Sequence, residues 1–303
     1  MKSKSLIRII LLVLTIVILF TGILFGIQYA QSKKAGTKTA STNSSSSSVR
    51  ALSSTSNALD TSSGFKQAKW GDNVTISYNE NYLEYKSNGL PNHERPKQYA
   101  LPNANNGNKI PTAAAAFAGD DPSQAQNYDF KISSHPSVAT KATPTSLGTI
   151  GVMISGAALF NPYEADNSTI ATASNFTVTD KDGNQVAFLD SCNGHPSPMG
   201  AYHYHALPTC ITSKIDQTSG PSHILGIAFD GFPIYGDKDM NGTQINANQL
   251  DSCNGINSKT PEFPSGIYHY VLLNAKDSSS SIRCFAGTVD SSLIQQMPRM
   301  GRR

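Results

Sequence analysis

One six-residue string occurs twice in this chain: Leu189-Asp190-Ser191-Cys192-Asn193-Gly194 returns as Leu250-Asp251-Ser252-Cys253-Asn254-Gly255. A repeat constrains a fold more than any single motif, because two small units that cannot each bury an apolar face must share one core. Downstream, Gly200-Ala201-Tyr202-His203-Tyr204 returns as Gly266-Ile267-Tyr268-His269-Tyr270, and each copy then reaches a cysteine, Cys210 or Cys284. Upstream, Ile150-Gly151-Val152-Met153-Ile154-Ser155-Gly156 parallels Leu225-Gly226-Ile227-Ala228-Phe229-Asp230-Gly231. The units run over about 150–210 and 225–284. Each reads as a hairpin, a variable loop, a Cys-Asn-Gly turn, a Tyr-His-Tyr strand and a closing cysteine. The expected fold is mainly β: a pseudo-symmetric antiparallel domain built from this duplicated unit and preceded by one transmembrane helix.

Local patterns agree with a β fold. Short β-rich runs alternate with Gly, Pro, Asn and Asp turns. Strands are expected at 74–78, 82–86, 129–132, 151–154, 176–179, 186–189, 202–205, 225–229 and 268–273. Residues 103–123 read as a long loop with one helical turn at its Ala-rich centre, and 293–297 as a short terminal helix.

The N-terminal part is of another kind. Residues 9–27 carry no charge, and a bilayer span needs about 20 apolar residues against about 7–15 for a signal-peptide core. This predicts an uncleaved signal anchor over 1–30, with a short cytoplasmic stub. Residues 31–63, rich in Ser, Thr, Ala and Lys, lack the apolar surface to fold and read as a disordered tether. The folded domain is expected over 64–290, with a short basic tail at 291–303.

Charge follows the same division. The chain has 24 basic and 21 acidic residues, but Lys2, Lys4, Arg8, Lys33, Lys34 and Lys38 all precede residue 41. The other 18 basic residues face 21 acidic ones, so residues 41–303 carry a net −3. A weakly acidic domain excludes nucleic acid as a partner, which needs a basic surface. The expected partners are the membrane, through the N-terminal helix, and a metal ion or surface ligand. Oligomeric state has no signature here.

All four cysteines lie in the duplicated part, and an even count in an exported domain reads as two disulfides. Of the three possible connectivities, the duplication favours Cys192–Cys210 with Cys253–Cys284, each unit closing its own loop. These cysteines place the C-terminal domain outside the cytoplasm, with the chain crossing the cell membrane once.

Four of the seven histidines, His195, His203, His205 and His223, fall in or beside the first unit. On a strand, His203 and His205 share one face and Tyr202 and Tyr204 the other. Such a His-x-His pair offers two imidazoles to one ion, and the Pro-rich loop can return His195 to the same place. Copper or zinc fits such a site outside a reducing compartment. Asp190 is the expected acceptor that fixes an imidazole tautomer. His223 and His269 are secondary candidates; His135 has no ligand spacing around it. In the second unit His195 is replaced by Ile256 and His205 by Val271. A weaker cation signal is Asp237-x-Asp239-x-Asn241-Gly242, which resembles the start of a calcium loop but has Asn248 where the bidentate Glu belongs.

The tetrad Tyr202-His203-Tyr204-His205 resembles the YHYH-domain family. Other family-like elements are Asn88-Gly89-Leu90-Pro91-Asn92-His93, Cys192-Asn193-Gly194-His195-Pro196, Asp230-Gly231-Phe232-Pro233-Ile234-Tyr235-Gly236 and Cys284-Phe285-Ala286-Gly287. The resemblance covers about 73–287. It implies an exported or membrane-attached domain, supplies no catalytic residues, and adds His93 to the candidate cluster. Family members tend to repeat the full tetrad; here Val271 breaks the second copy.

Three functional classes follow: a membrane-anchored extracytoplasmic domain that binds copper or zinc without turnover, a metal-dependent hydrolase or oxidoreductase using the same histidines, and an adhesion or glycan-binding module with structural histidines. No His-Glu-x-x-His, nucleophile elbow or phosphate loop is present.

Overall fold

The computed structural model describes residues 59–103 and 110–294. The apolar run at 9–27, most of the tether, most of the basic tail and most of the expected terminal helix lie outside the described residues. Among those described, no helix is long and apolar enough to cross a membrane.

The described chain opens with a one-turn helix, α1 (Ser62–Phe65). Thr61 before it is already buried, with its N–H and hydroxyl both donating to Ser134 O. Then follow β1 (Val74–Tyr78), β2 (Tyr82–Ser87), β3 (Gln98–Pro102), β4 (Ala116–Asp120), β5 (Tyr128–Ser133) and β6 (Val138–Pro144). The next strands are β7 (Thr149–Met153), β8 (Ala158–Phe160), β9 (Thr177–Thr179), β10 (Gln185–Ala187), β11 (Gly194–Pro196) and β12 (Tyr202–Tyr204). After α2 (Thr209–Ile215) come β13 (Ile224–Ala228), β14 (Pro233–Tyr235), β15 (Gly255–Ser258), β16 (Ile267–Val271) and β17 (Cys284–Gly287). The protein is mainly β, as expected.

The centre is an eight-stranded sheet in the order β11-β12-β8-β7-β13-β14-β16-β15. Read from either edge, the pairing is the same: antiparallel, then parallel, then antiparallel to the central β7–β13 pair. The parallel pairs, β12 on β8 and β14 on β16, depart from the all-antiparallel expectation. Parallel neighbours need a crossover of about a dozen residues or more, and the chain from Phe160 to Tyr202 and from Tyr235 to Ile267 is long enough to supply it.

Every residue of β7 and β13 is buried, which explains why both read as continuous apolar runs rather than alternating ones. Gly151 and Gly226 hold the two strands at close quarters. A Cβ on Gly151 would sit 2.8 Å from Ile227 O, and one on Gly226 would sit 2.3 Å from Val152 O. The three-stranded sheet β1-β2-β5 joins the same core: Tyr85 OH donates to Met153 O at 3.0 Å, and the Phe130 and Phe229 rings lie 5.0 Å apart.

Part of the loop expected at 103–123 is strand: a short 3-10 turn at Ala113–Ala115 leads into β4, which pairs with β3. Both expected disulfides are present, Cys192–Cys210 and Cys253–Cys284.

Candidate metal centre

β11 and β12 form a hairpin in which His195 stands directly opposite His203. Strand alternation puts His205 beside His203 and turns Tyr202 and Tyr204 to the other side. The His195 ring lies 4.5 Å from His203 and 5.3 Å from His205, and the latter two are 4.8 Å apart. Each residue offers one nitrogen, and the three nitrogens lie within 4.8 Å of one another. His195, His203 and His205 are only 7%, 3% and 2% exposed.

Hydrogen bonds fix two of the tautomers. His203 Nδ1 lies 3.0 Å from Ala201 O, and His205 Nδ1 lies 2.7 Å from Asn161 O. A carbonyl only accepts, so both Nδ1 atoms carry the proton and donate. A neutral imidazole then has its lone pair on Nε2. Yet the two Nε2 atoms face each other at 3.0 Å. Two lone pairs at that distance repel unless a cation lies between them. His195 Nε2, also buried, has no partner.

A proton does not readily serve as that cation. Burial holds His195 and His203 well below the ordinary histidine range, helped by the charge on their neighbours, and burial alone brings His205 to about 4. The neutral form these shifts enforce is the one that ligates metal. Two ligands about 2.0–2.1 Å from one ion, at angles between a right angle and tetrahedral, stand about 2.8–3.4 Å apart. The observed 3.0 Å falls in that interval. Apolar rings wall the site: Phe160 stacks on His203 at 3.8 Å and Phe188 lies 4.3 Å from His195.

The other sequence candidates stand elsewhere. Asp190 does not serve as the imidazole acceptor; that role belongs to backbone carbonyls. Its Oδ2 accepts from Tyr99 at 2.9 Å and Tyr202 at 2.7 Å, while Oδ1 accepts from the Cys192 and Gly194 N–H groups. His93 meets the tyrosine side of β12, its Nε2 2.7 Å from Tyr204 OH. One of its nitrogens also lies within 4.8 Å of the Cys192 and Cys210 sulfurs, but those form a disulfide, and metal ligation needs a thiolate.

His223 pairs with Glu262 at 2.8 Å, and His269 Nδ1 faces Ile267 O at 3.0 Å. His135 Nδ1 meets Ser134 Oγ at 3.1 Å. In the calcium-like turn, Asp239 Oδ1 accepts from the N–H groups of Asn241 and Thr243, and Asp237 accepts from Gln244. This is a hydrogen-bonded polar turn.

The sequence reading missed Phe160, Phe188, Asn161 and Glu164. Asn161 contributes a carbonyl, which any residue carries, so no pattern of types would reveal it. Glu164 is buried, its Oε1 has no partner, and burial with the nearby Asp166 charge raises its carboxyl to about 7.

The family model described as YHYH protein matches residues 129–246 and 237–287. The first match contains the three clustered histidines, the second His269 and the Cys253–Cys284 pair. No curated protein and no solved structure matches the chain.

Proposed function

The chain belongs to the YHYH protein family, and from that premise we propose that its folded part is a metal-binding domain that holds copper or zinc through His195, His203 and His205. The observation that carries this reading is the 3.0 Å approach of two buried Nε2 atoms whose rings each commit Nδ1 to a carbonyl. The third imidazole completes a set of three nitrogen ligands, a number common in sites that keep one position open. His269 lacks the partners for a second such site: Ile256 stands opposite it, and Val271 replaces the second histidine of the pair.

The sheet that holds these residues is read as two copies of one unit, the halves related across β7–β13. Its matched pairing and repeated strings support that reading. The domain is placed outside the cytoplasm on a single-pass N-terminal anchor. The apolar run at 9–27 and the two disulfides support this location.

The test is to produce the chain in an oxidising compartment and measure bound metal by elemental mass spectrometry, beside the His203→Ala/His205→Ala variant. Near-stoichiometric copper or zinc, absent from the variant, is the expected result. A folded wild type that takes up neither metal on addition sinks the reading.

A further inference from the structure

A cavity of about 80 Å³ opens beside the histidine cluster, lined by Tyr99 and Leu101 of β3, by Phe188, and by Glu164 and His195. Two buried polar atoms without a hydrogen-bond partner, His195 Nε2 and Glu164 Oε1, belong to residues on this same wall. The remaining such atoms among the described residues belong to residues that do not line it. With the His195 nitrogen turned to the metal, an apolar cavity that holds an unsatisfied carboxyl beside that imidazole is suited to a small polar guest, and this one has room for a few waters.

Local structure places Glu164 with care. Its N–H donates to Thr169 O at 2.8 Å, and its carbonyl accepts from Asn167 N–H at 2.8 Å. Asp166 caps this turn through the N–H groups of Ser168 and Thr169. Three residues earlier, Asn161 O fixes His205. One short segment therefore sets both an imidazole of the cluster and the carboxyl in the cavity. Glu164 is 6% exposed, yet it is not among the ligand atoms gathered within 4.8 Å. His195 belongs to both the cluster and the cavity wall, and so connects them.

We propose that this cavity is the open coordination side of the metal centre, and that Glu164 hydrogen-bonds the non-protein ligand held there, a water or a small monodentate anion. The inference rests on the metal reading above and deepens it. Three imidazoles, one open position and a carboxyl beside it are the parts that activate a metal-bound water, so hydrolysis is the class of chemistry this geometry serves. Burial, with the Asp166 charge nearby, raises this carboxyl to about 7, so both forms are available near neutral pH: the protonated one donates to a bound anion and the ionised one accepts from a bound water.

The test uses the full chain loaded with cobalt(II), whose visible spectrum reports coordination, and titrates it with azide. Cobalt content is measured first for the wild type, Glu164→Gln, Glu164→Leu and Leu101→Trp. The wild type is expected to bind azide saturably. Glu164→Leu, loaded to the same extent, is expected to bind it about tenfold or more weakly, because one hydrogen-bond donor is lost. Glu164→Gln, which keeps a donor, stays near the wild type. Leu101→Trp narrows the cavity from β3 and blocks azide without touching Glu164, so it decides the matter if the Leu variant does not fold. Unchanged azide affinity in fully loaded Glu164→Leu or Leu101→Trp overturns this inference and leaves the metal site standing. A folded wild type that takes up no cobalt and, on addition, neither copper nor zinc overturns the metal reading first.

Discussion

The two ends of the central sheet differ in what they bury. At one end Asp190 Oδ1 accepts from the N–H groups of Cys192 and Gly194, and Oδ2 accepts from Tyr202. At the other, Asp251 does the same for Cys253, Gly255 and Tyr268. Asn193 and Asn254 both adopt positive φ, 59° and 71°, and each lends its carbonyl to the N–H of the strand residue that follows the Tyr-His-Tyr set. Tyr204 OH meets Ser155 where Tyr270 OH meets Asp230, at matching positions of the two upstream hairpins. The scaffold is the same; the ligand positions are not. His195 and His205 give way to Ile256 and Val271, and the phenyl ring that stacks on His203 gives way to Tyr235, edge-on to His269 at 4.9 Å. Isoleucine and valine are what a buried β-strand ordinarily carries. Three imidazoles in that setting carry a desolvation penalty, which backbone carbonyls offset at Nδ1 of His203 and His205 and which, on the proposed reading, a shared ion offsets at Nε2.

The sharpest way to break the comparison is to make each end resemble the other. His203→Ala/His205→Ala is expected to lower metal content from about one equivalent to none, while His269→Ala leaves it unchanged. In excess zinc the wild type should gain stability, about 4 kcal/mol at a thousandfold excess over Kd, and the double variant nothing. The reverse graft, Ile256→His with Val271→His, should weaken the metal-free protein and recover on adding zinc, with a second equivalent bound. A graft that takes up no second ion would mean that Phe160 and the Asn161 carbonyl, not the histidine positions, make the site.

The disulfides come next in size. Cys192–Cys210 closes a separation of 18 residues and Cys253–Cys284 one of 31. Chain entropy assigns loops of these lengths about 3 and nearly 4 kcal/mol. Paired Cys→Ser variants, followed by urea unfolding, should each lose several kcal/mol, the second pair slightly more. A much larger loss for Cys192/Cys210, whose sulfurs lie beside His93, would show that this bridge also orders the tyrosine face.

Acid should act through His269 at the end without the cluster. Burial lowers its pKa from 6.5 to about 4. The unfolded chain protonates first as pH falls. The native state therefore keeps its full stability above 6.5 and loses it as pH drops from 6.5 through 4. Two and a half units correspond to about 3 kcal/mol. His269→Gln should shrink the fall in urea midpoint between pH 7 and 4.5, measured on metal-free protein. An equal fall in both proteins would mean that His269 reaches water in the native state.

Much of this was legible in the sequence, and for physical reasons. Two-residue periodicity placed His203 with His205, the Pro-rich loop was read as returning His195 to them, and the duplication paired the cysteines. The parallel pairs were not legible, because alternation encodes which face a residue takes and not the direction of its neighbour. β3 and β4 were missed since one is flanked by prolines and the other is Ala- and Gly-rich, without β-branched residues. α2 spans seven residues, two turns, too few for a helical period to stand out. Asp190 was assigned to the wrong partner: a carboxylate in sequence next to a histidine motif was claimed in space by two tyrosines. Glu164 lines one cavity with β3, more than sixty residues earlier in the chain, and no local pattern records such a meeting.

The smallest contrast concerns the two aspartates that brace the Cys-Asn-Gly turns. Both satisfy two N–H groups through Oδ1, so an Asn that keeps its oxygen there preserves that half of the bracing. The difference lies at Oδ2. Asp190 serves two tyrosines, Tyr99 and Tyr202, that are 1% and 0% exposed; Asp251 serves one, Tyr268, that is only partly buried. An amide nitrogen at that position cannot accept from a hydroxyl. Leaving a buried donor unsatisfied costs about 1–3 kcal/mol, whereas Tyr268 can turn to water. Asp190→Asn should therefore lose more stability than Asp251→Asn, by about 1–2 kcal/mol in urea unfolding. Because Tyr99 belongs to the strand that lines the cavity beside His195, Asp190→Asn should also weaken azide binding to the cobalt protein, and Asp251→Asn should not. Equal losses from both substitutions would mean that the Oδ1 bracing carries the stability and that Asp190 does nothing for the metal end that Asp251 does not do for the other.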